Sequence, residues 1–345
     1  MTITRALVRG VVLALLAFLL LVALLSATGQ RTGAALHALV GGALGSWYAI
    51  TSVTLVRAVP LAISGLAVSL AFRAGILNIG AEGQLLVGAA AATVVAIAMP
   101  QLGIIAIPAV IIAGAVAGAL WAGIAAVLRQ RFGVLEVIST IMLNYVALQL
   151  VGYLVRGPLQ EPTHIFPQSA NIPIAAQLPV IIPGTRLHLG FLLAVVFAFV
   201  MWWWLRDRAG GFRLRMVGAN ARAAMSAGKI DVRRTTAIAF LVSGAIAGVA
   251  GASEVTGVTY SLYENLSPGY GYTAIAVALL ARLHPIGVLM TAIMFGALEA
   301  GANAMQRDAG VPSVLVSVVE ALLILLVLAA DRWLGHSSTT GETGT

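Results

Sequence analysis

The 345-residue chain has no cysteine, a single lysine and few charges of any kind, with Asp, Glu, Lys and Arg together at 9%. Without cysteine there is no disulfide, no thiolate metal site and no thiol nucleophile, and the compartment is left open. With so few charges, 60% hydrophobic residues and a mean hydropathy of +1.01, polar surface is too scarce to cover a water-soluble globule. A bilayer is the solvent this composition fits. The lone Lys229 follows Gly228, but Ala223 stands where a phosphate-binding G-x-x-x-x-G-K-[ST] loop needs its first glycine, and no hydroxyl residue follows. ATP hydrolysis by that route is excluded. The five histidines are scattered without H-E-x-x-H spacing, and there is no G-x-S-x-G elbow. The chain reads as a non-enzyme that binds no metal or cofactor itself.

What the chain does have is long apolar runs. With about 20 apolar residues needed per span, they predict an all-α, polytopic membrane helix bundle of about ten helices, at 7–27, 51–72, 76–98, 103–128, 134–156, 187–205, 235–256, 271–282, 285–303 and 312–330. The whole chain forms one transmembrane domain on this reading, with the eighth span short and a disordered tail at 335–345. The net charge of +8 lacks a soluble basic face that could hold nucleic acid, and it fits membrane orientation instead. Both termini are placed in the cytoplasm. Basic residues then favour the inside ends roughly three to one. Arg73, Arg129, Arg131, Arg282 and the cluster at 206–234 lie inside, while Arg31, Arg57, Arg156, Arg186 and Arg307 lie outside. Six prolines between Pro158 and Pro183 rule out a regular helix and make 157–186 an external loop.

Small residues four apart, at Gly114/Gly118 and Gly244/Gly248, suit close helix contact. An echo between Ala67-Val68-x-Leu70-x-x-Arg73 and Ala276-Val277-x-Leu279-x-x-Arg282 is compatible with repeated halves.

Three segments could carry function. In Gly75-Ile76-Leu77-Asn78-Ile79-Gly80-Ala81-Glu82-Gly83-Gln84, costly polar groups stand where lipid-facing leucines would be cheaper. Read as a helix start, this segment puts Asn78 and Glu82 on one face and Gln84 on roughly the opposite one. These residues either line a pathway or cap the helix and hold Arg73. In the fifth span, Glu136, Thr140 and Asn144 recur every four residues as one polar stripe. It suits a neutral polar solute or, equally, hydrogen bonding between helices. The third segment lies in the basic loop 206–234. Asn220 is a good N-cap, the alanine-rich run beyond it a strong helix former and Gly228 a good C′ residue. A helix this short is marginal alone, so it implies a docking partner.

These segments, together with Ala274 to Gly287 and Phe295-Gly296-Ala297-Leu298, resemble the permeases of nucleoside-type ABC importers, within the wider simple-sugar and branched-chain amino acid permease superfamily. The L-N-I-G-A-E-G-Q string is the most specific piece. The resemblance implies a translocation pathway for a nucleoside or related neutral polar solute, bordered by Asn78, Glu82, Gln84, Thr140 and Asn144. It also implies ATPase docking through Gly218, Asn220, Arg222, Ala224 and Gly228. The partners it implies are an ATP-binding subunit carrying ATP and Mg, a second homologous permease that completes a heterodimer, and an external substrate-binding lipoprotein, all at the plasma (inner) membrane of a prokaryote. A simple-sugar permease and an ion-coupled secondary transporter are the alternatives. The docking loop departs from the family pattern, with Ala221 where a proline and Ser226 where a tyrosine is usual.

Overall fold

The computed structural model describes residues 19, 21–27, 29, 31–228, 230–312, 314, 315, 318 and 321. Among them β pairing is confined to three isolated bridges. In chain order the helices are α1 (Thr32–Leu44), α2 (Leu55–Arg73), α3 (Ala81–Ala98), α4 (Ala106–Phe132), α5 (Glu136–Arg156), α6 (Gly190–Asp207), α7 (Ala209–Ala219), α8 (Ala221–Gly228), α9 (Val232–Glu254), α10 (Tyr270–Leu280) and α11 (Pro285–Ala309). Turns of π-helix precede α2 at Ala49–Thr54 and prolong α9 at Val255–Thr259.

Seven of the described helical stretches are long and apolar enough to cross a membrane: Ala49–Arg73, Ala81–Ala98, Ala106–Phe132, Glu136–Arg156, Gly190–Asp207, Val232–Thr259 and Pro285–Ala309. The chain is thus a polytopic helical bundle. Only residues 19 and 21–27 of the expected first span are described, and nearly all of 312–330, the tail 335–345 and both chain ends lie outside the described residues. One expected boundary is corrected. The span read as 76–98 begins at Ala81, because residues 76–79 are not helical.

The chain divides into two compact units. In the unit of Met1–Thr54 and Ala297–Thr345, Leu21, Leu25, Ala35, Ala38, Ala302, Met305 and Val311 form a core. The unit Leu55–Gly296 holds every residue discussed below. Its centre is the crossing of α4 and α9. A Cβ on Gly118 would run into the Gly244 carbonyl, and one on Gly248 into the Gly114 carbonyl, so the small-residue pairs let two backbones touch. Gly88 of α3 is pressed on Gly248 in the same way.

The ends of this unit are distinct. At one end the loop 157–189 is tied to the residues after α9, through Leu178 N to Thr256 O at 2.8 Å, Ser169 N to Leu262 O at 2.8 Å and Ile172 N to Tyr260 O at 2.8 Å. At the other end lie the end of α2, the α7–α8 pair and the end of α10, where Arg73 Nε donates to Leu283 O at 2.7 Å and Ser69 Oγ does so at 2.6 Å. The two echoed segments therefore meet at their C-terminal ends.

Candidate functional site

Between α2 and α3 the chain does not turn directly from helix to helix. It leaves α2 at Arg73, passes Gly75 with φ +74°, and runs non-helically through Ile76–Ile79 before α3 begins at Ala81. Asn78 meets Ser243, midway along α9, and Ser243 Oγ donates to Ala67 O at 2.8 Å. Ala67 is six residues before Arg73, so the irregular stretch climbs roughly 9 Å from the helix end into the bundle. Backbone of this kind survives at membrane depth only where protein or water satisfies its polar groups. Here protein does so.

The side chains that satisfy it are those the sequence singles out. Asn78, fully buried, donates from Nδ2 to Ser243 Oγ at 3.0 Å and to Gln84 Oε1 at 3.1 Å. Its Oδ1 accepts from Gly80 N and from Gln84 Nε2, both at 3.0 Å. Gln84 therefore faces Asn78, a correction to the helical-face expectation, because Asn78 stands outside the helix and the face rule does not reach it. Thr140 Oγ1 accepts from Ile79 N at 3.3 Å, and Asn144 spans the break, with Nδ2 donating to Ile79 O at 2.9 Å and Oδ1 accepting from Gly83 N at 2.8 Å. Glu136, the first member of the same stripe, pairs instead with Arg129 at 3.1 Å.

Glu82 ties in a fourth helix. Its Oε2 accepts from Gly271 N at 2.6 Å in the first turn of α10, where a carboxylate suits the exposed N–H groups and the helix dipole. A Cβ on Gly271 would collide with the Glu82 backbone, so the start of α10 abuts the start of α3. Two helices, α3 and the short α10, thus begin side by side inside the bundle. Glu82 caps α10 rather than its own helix, and Arg73 bonds to Leu283 rather than to Asn78 or Glu82.

Sequence reasoning missed Ser243, Gly271 and two tyrosines. Tyr272 receives a 3.3 Å bond on its hydroxyl from Asn144 Nδ2, and the residue is 43% exposed. Tyr145, next to Asn144 on α5, lies near Tyr272 and is 59% exposed. The glycines around Tyr270 and Tyr272 were the available signal, since they mark a tight helix start in an otherwise apolar run.

At the other functional segment, α8 runs from Ala221 through Gly228, and Asn220 Oδ1 caps it by accepting from Ala223 N at 3.0 Å. The sequence did not reveal α7. Gly218, in α7, packs on the turn after α2: a Cβ there would overlap the Arg73 carbonyl and lie 3.1 Å from Gly75 N. Ala224 requires a correction as a docking contact. It is fully buried within the chain, one turn after its cap, while Arg222, Ala223, Met225 and Ser226 are exposed.

The family described as the branched-chain amino acid transport system / permease component matches residues 50–328. The chain belongs to this permease family. It is 40% identical to a glucose ABC transporter permease protein of Haloferax volcanii over 84% of this chain and 78% of that one. It is 39% identical to a guanosine ABC transporter permease protein of Bacillus subtilis, over 88% of this chain and 87% of the relative. A nucleoside ABC transporter permease protein of Lactococcus lactis is 32% identical over 83% of this chain and 80% of its own length. No solved structure matches the chain. The permease subunit of an ABC importer is therefore what these residues build, and the resemblance read from L-N-I-G-A-E-G-Q is upheld.

Proposed function

We propose that this chain and a second, homologous permease form the route by which a nucleoside crosses the plasma membrane of a prokaryote, driven by a separate ATPase that carries ATP and Mg and supplied by an external binding lipoprotein. The observation that carries this reading is the pair of helix starts, α3 and α10, pinned inside the bundle by Asn78, Glu82, Gln84, Thr140 and Asn144. Transporters place solute sites at broken helices of this kind. In this reading the five polar residues border the pathway from behind, holding the break rigid, and Tyr145 and Tyr272 present their rings to the solute. A nucleobase offers a flat π face to such rings, with stacking worth about 1–3 kcal/mol per base in other proteins. Two permeases named for guanosine in Bacillus subtilis and two named for nucleosides in Lactococcus lactis, all similar to this chain, support a heterodimer.

The exposed face of α8, with Met225 at its centre, seats in the ATPase. Movement there reaches the break directly, because Gly218 rests on the turn that opens it. The test is uptake by the reconstituted complex. Tyr145→Ala and Tyr272→Leu, which remove the rings, should raise the KM for nucleoside while assembly and basal ATP hydrolysis stay at the wild-type level. Unchanged KM in both variants would refute the assignment of the tyrosine face.

A further inference from the structure

Away from the helix break, between α2, α6, α7 and α9, lies a cavity of about 860 Å³ that the importer reading leaves without a use. Its walls change character along their length. The apolar part is lined by Leu66, which is fully buried, and by Phe197, Val200 and Val242. The mouth is lined by Trp204, Arg213 and Arg234.

Two observations place that mouth at a membrane–water boundary. Trp202, Trp203 and Trp204 follow one another at the end of α6, and aromatic belts of this sort sit at headgroup level. Arg206 stacks 5.4 Å from the Trp202 ring and Arg208 4.1 Å from the Trp203 ring, which puts guanidinium groups at the same height. Trp204 is left to line the cavity, packed on Gly210, where a Cβ would come within 2.8 Å of its indole.

The charges at the mouth do not cancel. Arg213 and Arg234 are both exposed, and neither side chain has an ion pair or hydrogen bond among the described residues. The one carboxylate there, Asp231, is committed to capping α9, accepting from Arg234 N at 2.9 Å. A ligand that fits has an anionic head for two guanidinium groups and an apolar body long enough to enter the bundle beside Val200 and Val242. Val200 and Val242 are 52% and 42% exposed, so the cavity opens sideways toward lipid.

We infer that this cavity is a binding site for one anionic phospholipid, its phosphate held by Arg213 and Arg234 and an acyl chain lying along α2 and α9. Basic pockets between membrane helices bind lipid headgroups by this combination of charge and apolar depth, and guanidinium groups suit phosphate geometry.

The test uses the full chain purified in mild detergent and then placed in nanodiscs. Phospholipid retained through purification is counted by mass spectrometry. Exchange is then followed in nanodiscs of phosphatidylglycerol or of phosphatidylcholine with the same acyl chains. Wild type should retain phosphatidylglycerol in preference to phosphatidylcholine by at least tenfold. Arg213→Gln with Arg234→Gln should abolish the preference. Because loss of two arginines can disturb insertion, a second variant, Val242→Trp, fills the apolar part while keeping both charges, and it should lower retention of either lipid. Equal retention of the two lipids by wild type, or retention unaffected by Val242→Trp in a normally folded protein, would overturn the site. So would crosslinks showing the cavity occupied by a partner subunit.

Discussion

Asn144→Leu removes the side chain that holds both edges of the helix break. Three hydrogen bonds are lost, to Gly83 N at 2.8 Å, Ile79 O at 2.9 Å and Tyr272 Oη at 3.3 Å. Gly83 lies in the first turn of α3, so its N–H has no carbonyl within the helix to replace Asn144. Ile79 is outside any helix, and its carbonyl loses the donor that Asn144 Nδ2 supplied. A buried backbone group left unpaired costs about 1–3 kcal/mol, whereas hydrogen bonds between membrane helices average about 0.6 kcal/mol because the unfolded chain finds other partners. Two orphaned groups then amount to roughly 2–4 kcal/mol. Leucine also has to fit where Gly83 leaves little room, since a Cβ on Gly83 would already lie 2.9 Å from Asn144 Oδ1. The expected result is a melting temperature lower by about 5–10 °C, at a few degrees per kcal/mol. It is read by size-exclusion chromatography of heated, detergent-solubilised protein. Tyr145→Ala, on the exposed neighbour, should leave the melt unchanged. A wild-type melting temperature for Asn144→Leu would refute the claim that this residue holds the break.

Three further perturbations address other parts of the account. Met225→Asp should release the ATPase from the complex without destabilising the isolated permease, whereas Ala224→Asp, which buries an unpaired charge inside the chain, should lower the permease's own melting temperature, by about 3 kcal/mol or more in stability; the two are compared by pull-down and by thermal melt. Gly218→Val should cut ATP-driven uptake several-fold while nucleotide binding by the ATPase persists, because the added atoms displace the Arg73–Gly75 turn; uptake assayed beside nucleotide binding decides it. In the 157–189 loop, the hydrogen bonds from Gln168 and Thr163 hold the Glu161 carboxyl below the usual carboxylate range. Its stabilising effect is therefore complete above the unfolded pKa of about 4.3 and lost as pH falls through the lower folded value. Hydrogen-exchange protection at Phe166 and Gln168 should fall in that acid window in wild type and be low at every pH in Glu161→Gln.

How far the sequence carried the reading depends on which physical rule each segment obeys. Apolar length and the proline-rich stretch from Pro158 to Pro183 were direct signals, because bilayer thickness and the missing proline N–H act locally. The α8 helix was legible for the same reason: Asn220 capping Ala223 N is a contact three residues long. Gln84 was misjudged because helical periodicity was extended back to Asn78, where the chain is pinned open by Thr140 and Asn144 through contacts that span 61 to 65 positions. Glu82 was recognised as costly in the membrane, but its partner, Gly271 N, is 189 residues distant and could not be read from spacing. Ala224 was named for docking through the resemblance of its loop alone; only packing shows that the chain itself covers it. Tyr145 carries no signal of its own until Asn144 is seen beside it, whereas Gly269 and Gly271 mark the tight helix start that holds Tyr272.

The central claim, that this permease passes nucleosides under ATP drive, is tested most directly by uptake of radiolabelled guanosine, adenosine, uridine, ribose and glucose into liposomes holding the complete complex. The account predicts ATP-dependent accumulation of at least one nucleoside, competed by unlabelled nucleoside and not by the free sugars, and abolished by Met225→Asp. Uptake of glucose or ribose alone, or nucleoside uptake driven by an ion gradient without ATP, would contradict it.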